Sequence, residues 1–444
     1  MIKTEDSPKK FVTLKQLVTD KTLPDIVAPV FPGLGCGFFA VSFIAPLIAR
    51  SAAIMIAPAI CAHNARVFMS RFEQSSFMIE NNLVFFLYEE DDIIHGAEEI
   101  IRTSLIDYCT RQNPDVVFVV TSCLPEIVGE DIEAVVLQVR ESVSMPVLFI
   151  RTENFTNNSS KQGIERAFGA LIELMDNPEQ KIPKSVNIIG TSAFRSAGTE
   201  LPRVLTQAGF TIHSIIPSHS EISALRKAPM ASCNIIMDRG ALPLAEMMKE
   251  NFDIDYFFFD RPFSPDSILT LYKNLGVFLS VDLRPIVCPH YETLLGIISS
   301  LSHHLTGKKA IISTGHGRAF DLAILLTSLG MEISAIAVNE LFDQDYVDAA
   351  LLYSSGGRPE IIRNTSCYPL EEYLQQIKPD FYLTFSGYEE KLCKENQIAY
   401  CNLHGNAFRN GFDFSIQTLQ DAFHQYLKKC PELNSTSSNR GYLP

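Results

Sequence analysis

No run of this sequence is long enough and apolar enough to span a bilayer. The longest apolar stretch, "GFFAVSFIAPLIA" from Gly37 to Ala49, is interrupted by Pro46 and closed by Arg50, well short of the roughly 18–20 residues a spanning helix needs. The start, "MIKTEDSPKKFVTLKQLVTD", lacks the continuous apolar core of a signal peptide. A soluble cytoplasmic protein with no membrane partner is expected. Clustered Lys and Arg are also missing, and 37 basic against 51 acidic residues leave a formal charge of −14. That balance excludes a phosphate-binding groove for nucleic acid. The ten cysteines contain no CxxC pair, which removes zinc-ribbon and thioredoxin-like readings, and a reducing compartment disfavours disulfide staples. No GxxxxGK[ST] loop is present, so any ATP hydrolysis belongs to a partner. "GHGRAF" lacks the third glycine of a dinucleotide fingerprint.

What is present is a globular composition, 46% hydrophobic and 20% charged, and a repeated plan. "KSVNIIGTSAFRSAGTELPRVLTQAGFTIHSI" (Lys184–Ile215) and "KKAIISTGHGRAFDLAILLTSLGMEISAI" (Lys308–Ile336) each read as strand, Gly-containing loop, amphipathic helix and second strand. Parallel strands need such crossovers. A second echo links "RQNPDVVFVVTSC" with "QIKPDFYLTFSG", where Pro-Asp introduces a buried strand that ends on small or polar residues. Repetition over 444 residues predicts an α/β chain of three doubly wound, Rossmann-like domains with mainly parallel sheets. The expected division is an N-terminal extension (1–24), three α/β domains (25–183, 184–305 and 306–430) and a polar tail (431–444).

Ligands of such sheets sit beyond the carboxyl ends of the strands, and three cysteines occupy places of that kind. Cys123 follows the β-branched run "VVFVVTS" and precedes a helix opening on Pro125. Cys61 ends the run "IMIAPAI", and Cys36 lies among glycines in "FPGLGCGFFA". A helix dipole at Cys123 is expected to lower its thiol pKa and favour a metal-binding thiolate. The alternative for any one of them is a small buried hydrophobe. Three thiolates are one short of the four an iron–sulfur cube takes, so a fourth ligand would come from elsewhere in the chain, a partner or water.

The motifs "GLGCGFFA", "APAICAHNAR" and "TSCLPEIVGEDIE", in that order, resemble the three cysteine motifs of nitrogenase component 1 proteins. That superfamily includes dinitrogenase subunits, cofactor-assembly scaffolds and the catalytic subunits of dark-operative protochlorophyllide and chlorophyllide reductases. The resemblance extends over approximately residues 25–430. It implies that Cys36, Cys61 and Cys123 ligate an iron–sulfur cluster, 4Fe–4S or larger, at the interface with a homologous second subunit or a second copy, in a dimer or heterotetramer. It further implies a separate ATP-dependent iron protein as electron donor, and a second metallocluster or a tetrapyrrole-type substrate in an interdomain cleft.

One departure bears on the substrate. "NIIMD" puts Asp238 where the dinitrogenase catalytic subunit resembles this chain but carries a cofactor-binding cysteine; Cys233 precedes that strand. A carboxylate suits sulfur-rich clusters less well than a thiolate, so Asp238 is a candidate proton donor, or simply a solvated or helix-capping residue. His316 in "TGHGRAF" and His404 in "CNLHGNAF" are the other catalytic candidates. His63 could orient a ligand, and Arg66, Arg239 and Arg318 could hold substrate carboxylates. The remaining cysteines read as packing residues. The preferred expectation is a nitrogenase-like, iron–sulfur-dependent oxidoreductase subunit. The alternatives are a non-catalytic metallocluster scaffold and a metal-free small-molecule binding protein.

Overall fold

A computed structural model describes residues 11–23, 37–44, 47–73, 82–152, 160–190, 199–217, 220–316, 318–363, 370–385, 389–403 and 409–429. In chain order, β1 (Phe11–Thr13) and α1 (Leu14–Asp20) precede α2 (Gly37–Ile44), β2 (Ser51–Ala57), α3 (Ala59–Glu73) and β3 (Leu83–Leu87). Then come α4 (Glu90–His95), α5 (Glu98–Gln112), β4 (Val116–Thr121), α6 (Cys123–Val128), α7 (Ile132–Ser142), β5 (Val147–Ile150) and α8 (Ser160–Ala170). The next group is β6 (Ile182–Ile189), α9 (Glu200–Gln207), β7 (Thr211–Ile216), α10 (Ile222–Lys227), β8 (Ala231–Ile236), α11 (Leu242–Phe252) and β9 (Asp255–Phe258). Two long helices, α12 (Pro265–Leu279) and α13 (Arg284–Leu305), lead into β10 (Lys309–His316), α14 (Ala319–Ser328), β11 (Glu332–Glu340), α15 (Asp343–Ser354) and β12 (Glu360–Arg363). The chain closes with α16 (Leu370–Ile377), β13 (Phe381–Thr384), α17 (Glu390–Glu395), β14 (Ala399–Asn402) and α18 (Gly411–Lys429).

The strands form three sheets, ordered β3-β2-β4-β5, β7-β6-β8-β9 and β1-β12-β11-β10-β13-β14. Every pairing is parallel except that of β1, which runs antiparallel to β12. The α/β class with mainly parallel sheets is thus what the chain adopts. Both repeats are realised, as β6–α9–β7 and β10–α14–β11, and both Pro-Asp segments run into strands, β4 and β13. Residues 11–20, read in the sequence as part of an extension, supply an edge strand and a helix whose N-cap Thr13 accepts from the Gln16 N–H.

Two compact units result, one of residues 31–198 and 205–260, the other of residues 1–30, 199–204 and 261–444. In the first unit, β2 and β4 are buried along their whole length. Alternation decides which face each side chain serves. Ala53, Met55, Phe118 and Val120 join one core with residues of the second sheet such as Ile189 and Ile236. Ala52, Ile54, Ile56, Val117 and Val119 face a second core with Ile101, Leu105, Val135 and Val139 of α5 and α7. Burial on both faces explains why these strands are almost purely apolar. The apolar "GFFAVSFI" run is α2, and Phe38, Phe39, Val41 and Ile44 are all buried. No helix among the described residues is long and apolar enough to cross a membrane.

Helix α2 packs on α8, α3 and β4. The α2–α8 contact is so close that a Cβ on Gly163 would lie 2.3 Å from the Gly37 carbonyl oxygen and 2.5 Å from its Cα. Backbone atoms cannot rotate away, so only glycine fits there.

In the second unit, Arg318 adopts φ +56° at the N-cap of α14, two residues past the end of β10. Its guanidinium lies 3.3 Å from Asp348 and 3.7 Å from Asp321, and its N–H donates to Asp345. Asp321 also accepts from the backbone N–H groups of Phe263 and Ser264 and from the hydroxyls of Ser264 and Ser267, which ties α14 to the start of α12. Asp348 is left with a pKa raised to about 6, chiefly by burial.

Two outcomes follow from this packing. Gly163→Ala should displace α2 and destabilise the first unit by roughly 1–3 kcal/mol, read as a lower midpoint in urea; an unchanged midpoint would contradict the close approach. Asp348, whose native pKa exceeds its unfolded value, stabilises the fold less as pH rises through about 6. Relative to wild type, Asp348→Asn should therefore gain about 1 kcal/mol between pH 5 and pH 7.5, measured by denaturant unfolding at both pH values.

Candidate functional site

In the first sheet the chain runs from β2 outward to β3, then returns to place β4 on the other side of β2. The carboxyl ends of β2 and β4 are therefore the switch point of a doubly wound sheet, where no helix crosses over. Cys61 sits in the first turn of α3, just past β2, and Cys123 opens α6, just past β4. The register aligns Ile56 with Thr121, and the Ser122 N–H donates to the Ile56 carbonyl at 2.9 Å. The structure thus brings these two sequence-predicted cysteines together on one rim.

The setting of Cys123 is fixed by Glu126. Its carboxylate accepts from the Thr121 hydroxyl and from the Thr152 N–H at 3.1 Å, while the Thr152 hydroxyl donates to the Thr121 carbonyl at 2.7 Å. Those bonds pin the first turn of α6 to the ends of β4 and β5. Both thiols are half-buried and free. Burial pushes the Cys61 thiol up, and the neighbouring Cys123 pushes it further. Burial also raises Cys123, partly offset by its own backbone N–H and reinforced by Glu126. This corrects the expectation of a lowered pKa at Cys123: a six-residue helix contributes too small a field to outweigh desolvation.

Burial resists ionisation of both thiols, and Cys123 adds to the resistance at Cys61; a cation shared by the two thiols would oppose these effects. A further donor lies beside them. Ser122 is buried, and its hydroxyl oxygen has no hydrogen-bond partner among the described residues, an arrangement that ordinarily calls for an ion or water. Nothing in the sequence marked Ser122, because a serine before a helix reads as an N-cap, yet here it makes no capping bond. The donor set of soft thiolates with an adjacent hydroxyl fits an iron–sulfur cluster. Cys36 lies outside the described residues; Gly37, the next residue, starts α2, which packs on α3 and β4.

The second sheet has its own switch point, between β6 and β8. Gly190, with φ +151°, and Asp238 follow those strands, and a Cβ on Gly190 would lie 2.9 Å from Asp238 Oδ2. Asp238 is half-buried at an N-cap position with no capping bond from its side chain. Cys233 lies within β8 rather than ahead of it, is buried, and has a pKa raised to about 11. The third switch point is between β10 and β13, and His316 is the last residue of β10. His404 lies outside the described residues.

The other sequence candidates have plainer surroundings. His63 is exposed. Arg66 stacks over the Phe85 ring at 4.9 Å and Arg239 over the Phe258 ring at 4.8 Å, while Arg318 serves the buried acids already described. Cys109, Cys393 and Cys401 are buried, in keeping with packing roles.

Comparison with known proteins places this geometry. Residues 36–413 match the family described as nitrogenase component 1 type oxidoreductase. The nitrogenase iron-molybdenum cofactor biosynthesis protein NifE of Methanococcus maripaludis is 24% identical over 71% of this chain and 66% of that protein. The chain thus spans about two thirds of that relative's length. The nitrogenase molybdenum-iron protein alpha chain of Methanothermobacter thermautotrophicus is 24% identical over 76% of this chain and 73% of that protein. A solved structure, "Nitrogenase Cp1 at pH 6.5", shares the fold with a TM-score of 0.76 at 15% identity, covering 96% of this chain and 99% of that one. With a family match that begins at Cys36 and runs through all three sheets, the chain belongs to the nitrogenase component 1 type oxidoreductases.

Proposed function

We propose that this chain is a subunit of a nitrogenase-like reductase and holds an iron–sulfur cluster through Cys36, Cys61 and Cys123. The observation that carries the reading is the pairing of Cys61 and Cys123 at the β2/β4 switch point, with the unbonded Ser122 hydroxyl beside them. When bound, such a cluster supplies one-electron chemistry that side chains lack. The chain's own contribution is to hold the thiolates rigidly: β4 and β5 fix Cys123 through Glu126, and β2 fixes the turn before Cys61. Asp238, which follows β8, His316, which ends β10, and His404 are the proposed proton donors to a substrate or second cofactor. In this reading electrons come from a separate ATP-dependent iron protein.

A homologous second subunit, or a second copy, is the proposed cover for the rim. Ile60 and Ile127 are each 61% exposed and Val128 42% exposed, and all three are close in sequence to the two cysteines. Apolar side chains grouped around a polar site favour a protein interface.

The relatives also support a second reading, a scaffold for metallocluster assembly, since the matches include cofactor biosynthesis proteins. Turnover separates the two. A reductase consumes substrate when supplied with an iron protein and ATP, whereas a scaffold retains a second cluster and shows no turnover.

Two experiments test the site and its cover. Anaerobically purified wild type should carry iron and acid-labile sulfide, and Cys123→Ser should lose most of both; a full complement in the variant would sink the ligand assignment. Ile127→Glu alters a side chain that is already in water, so stability should stay within about 0.5 kcal/mol. Size-exclusion chromatography should nevertheless show loss of the dimer or heteromer, and unchanged assembly would argue for a different interface.

A further inference from the structure

A second set of ligating groups lies in the unit built on residues 1–30, 199–204 and 261–444. Glu200 starts α9, His290 lies on α13 and Asp413 is in the first turn of α18. One ligand atom from each falls within 4.8 Å of the other two. No spacing motif announces the trio, because the residues come from three distant segments.

Glu200 is fully buried and rigidly held. Its Oε1 accepts from the Tyr272 hydroxyl at 2.7 Å and the Phe412 N–H at 3.0 Å, and its Oε2 accepts from the Asp413 N–H at 2.8 Å. Gly411, at φ +59°, makes room for it, since a Cβ there would lie 2.0 Å from Oε1. Asn410 Oδ1 accepts a further bond from the Leu201 N–H at 2.7 Å. These contacts orient the carboxylate, as outer partners orient metal ligands, and they leave acceptor capacity on Oε2. No basic side chain pairs with Glu200 among the described residues. Asp413 is paired on Oδ2 with Arg203, which leaves Oδ1. The His290 ring, partly exposed, has no hydrogen-bond partner among the described residues, and one of its nitrogens is among the three ligand atoms.

The balance of charge is therefore incomplete. Two carboxylates and a free imidazole face one point, one of the carboxylates is buried, and Arg203 answers only the other. Burial accordingly raises the Glu200 pKa, to about 7, and Tyr272 stays a neutral donor because burial and Glu200 hold its pKa well above its usual value. We propose that Glu200, His290 and Asp413 form a binding site for one divalent first-row transition-metal ion, apart from the cysteine rim. Two oxygens and one imidazole nitrogen suit Zn²⁺, Mn²⁺, Fe²⁺ or Co²⁺ rather than Cu⁺, which prefers thiolates, or Ca²⁺, which takes 6–8 oxygens. Bonds of about 2 Å would draw the donors inward by roughly an ångström, and the exposed edges of His290 and Asp413 leave further positions to water. Bound there, the ion ties the first turn of α9 to α13 and to the start of α18.

The test uses the full-length chain carrying Cys61→Ser and Cys123→Ser, freed of metal with a chelator and titrated with Co²⁺. Saturation at one ion per chain is expected, with visible ligand-field bands, no near-ultraviolet thiolate-to-cobalt band, and a thermal midpoint that rises with Co²⁺. His290→Ala should weaken binding about tenfold or more and abolish that rise, while leaving the metal-free circular dichroism and thermal midpoint unchanged. Asp413→Asn should weaken binding in the same direction. Absence of saturable binding, equal binding by wild-type His290 and the alanine variant, or a dominant thiolate band would each overturn the proposal. Because the two rim cysteines are already replaced, none of these results depends on the cluster assignment.

Discussion

The rim chemistry of this protein depends on the hydrogen-bonded pairing of β2 with β4. These strands are separated in the chain by β3 and the helices α3, α4 and α5, yet they run side by side from Ser51 opposite Val116 to Ile56 opposite Thr121. Their interiors are held in register by burial on both faces, since a one-residue slip would exchange the two cores and put every side chain on the wrong side. Fixing the strands fixes their ends. The residues just beyond, Cys61 and Cys123, need no flexible reach to meet, and the backbone bond from Ser122 to Ile56 closes the last gap between them.

That rigidity has an electrostatic consequence. A thiol beyond a strand end is expected to be acidic if it also starts a helix, but the protein buries both thiols and sets Cys123 against Cys61 and Glu126 against Cys123, so both are harder to ionise. Left alone, the arrangement disfavours the thiolates that metal binding needs. Under the proposed function its sense lies in a cation, because a positive centre beside the two thiols would offset the desolvation of both. The same reasoning applies to Ser122, whose buried oxygen lacks a partner among the described residues. Polar groups that conflict with burial in the isolated chain mark the place where something else completes the structure.

Much of this was legible in the residues, and the physical reason is periodicity. Strand–loop–helix repeats announce themselves as β-branched runs alternating with amphipathic ones, so the βαβ units at Lys184–Ile215 and Lys308–Ile336 could be read directly. Cys61 and Cys123 were readable because each stands at the junction of two such patterns. Glu200, His290 and Asp413 were not. Their convergence depends on how α13 and α18 pack around Tyr272, Phe412 and Gly411, and side-chain packing over long separations leaves no local pattern. The sign of the Cys123 shift was misread for a related reason: a helix start is visible in sequence, whereas the burial that overrides its dipole is a property of the assembled sheet.

The donor atoms also divide by chemistry. At the first switch point they are sulfur; at the second, two residues past β8, stands Asp238, packed close over Gly190, whose φ of +151° favours glycine. In the other unit the converging donors are again oxygen and imidazole. Sulfur selects clusters and soft ions, while carboxylate and imidazole select harder ions or move protons. A thiolate at the end of β8 would let one chain carry two sulfur-bound centres. In the proposed reading, an aspartate there leaves the soft chemistry to the β2/β4 rim and makes proton delivery the more natural task of the second strand end.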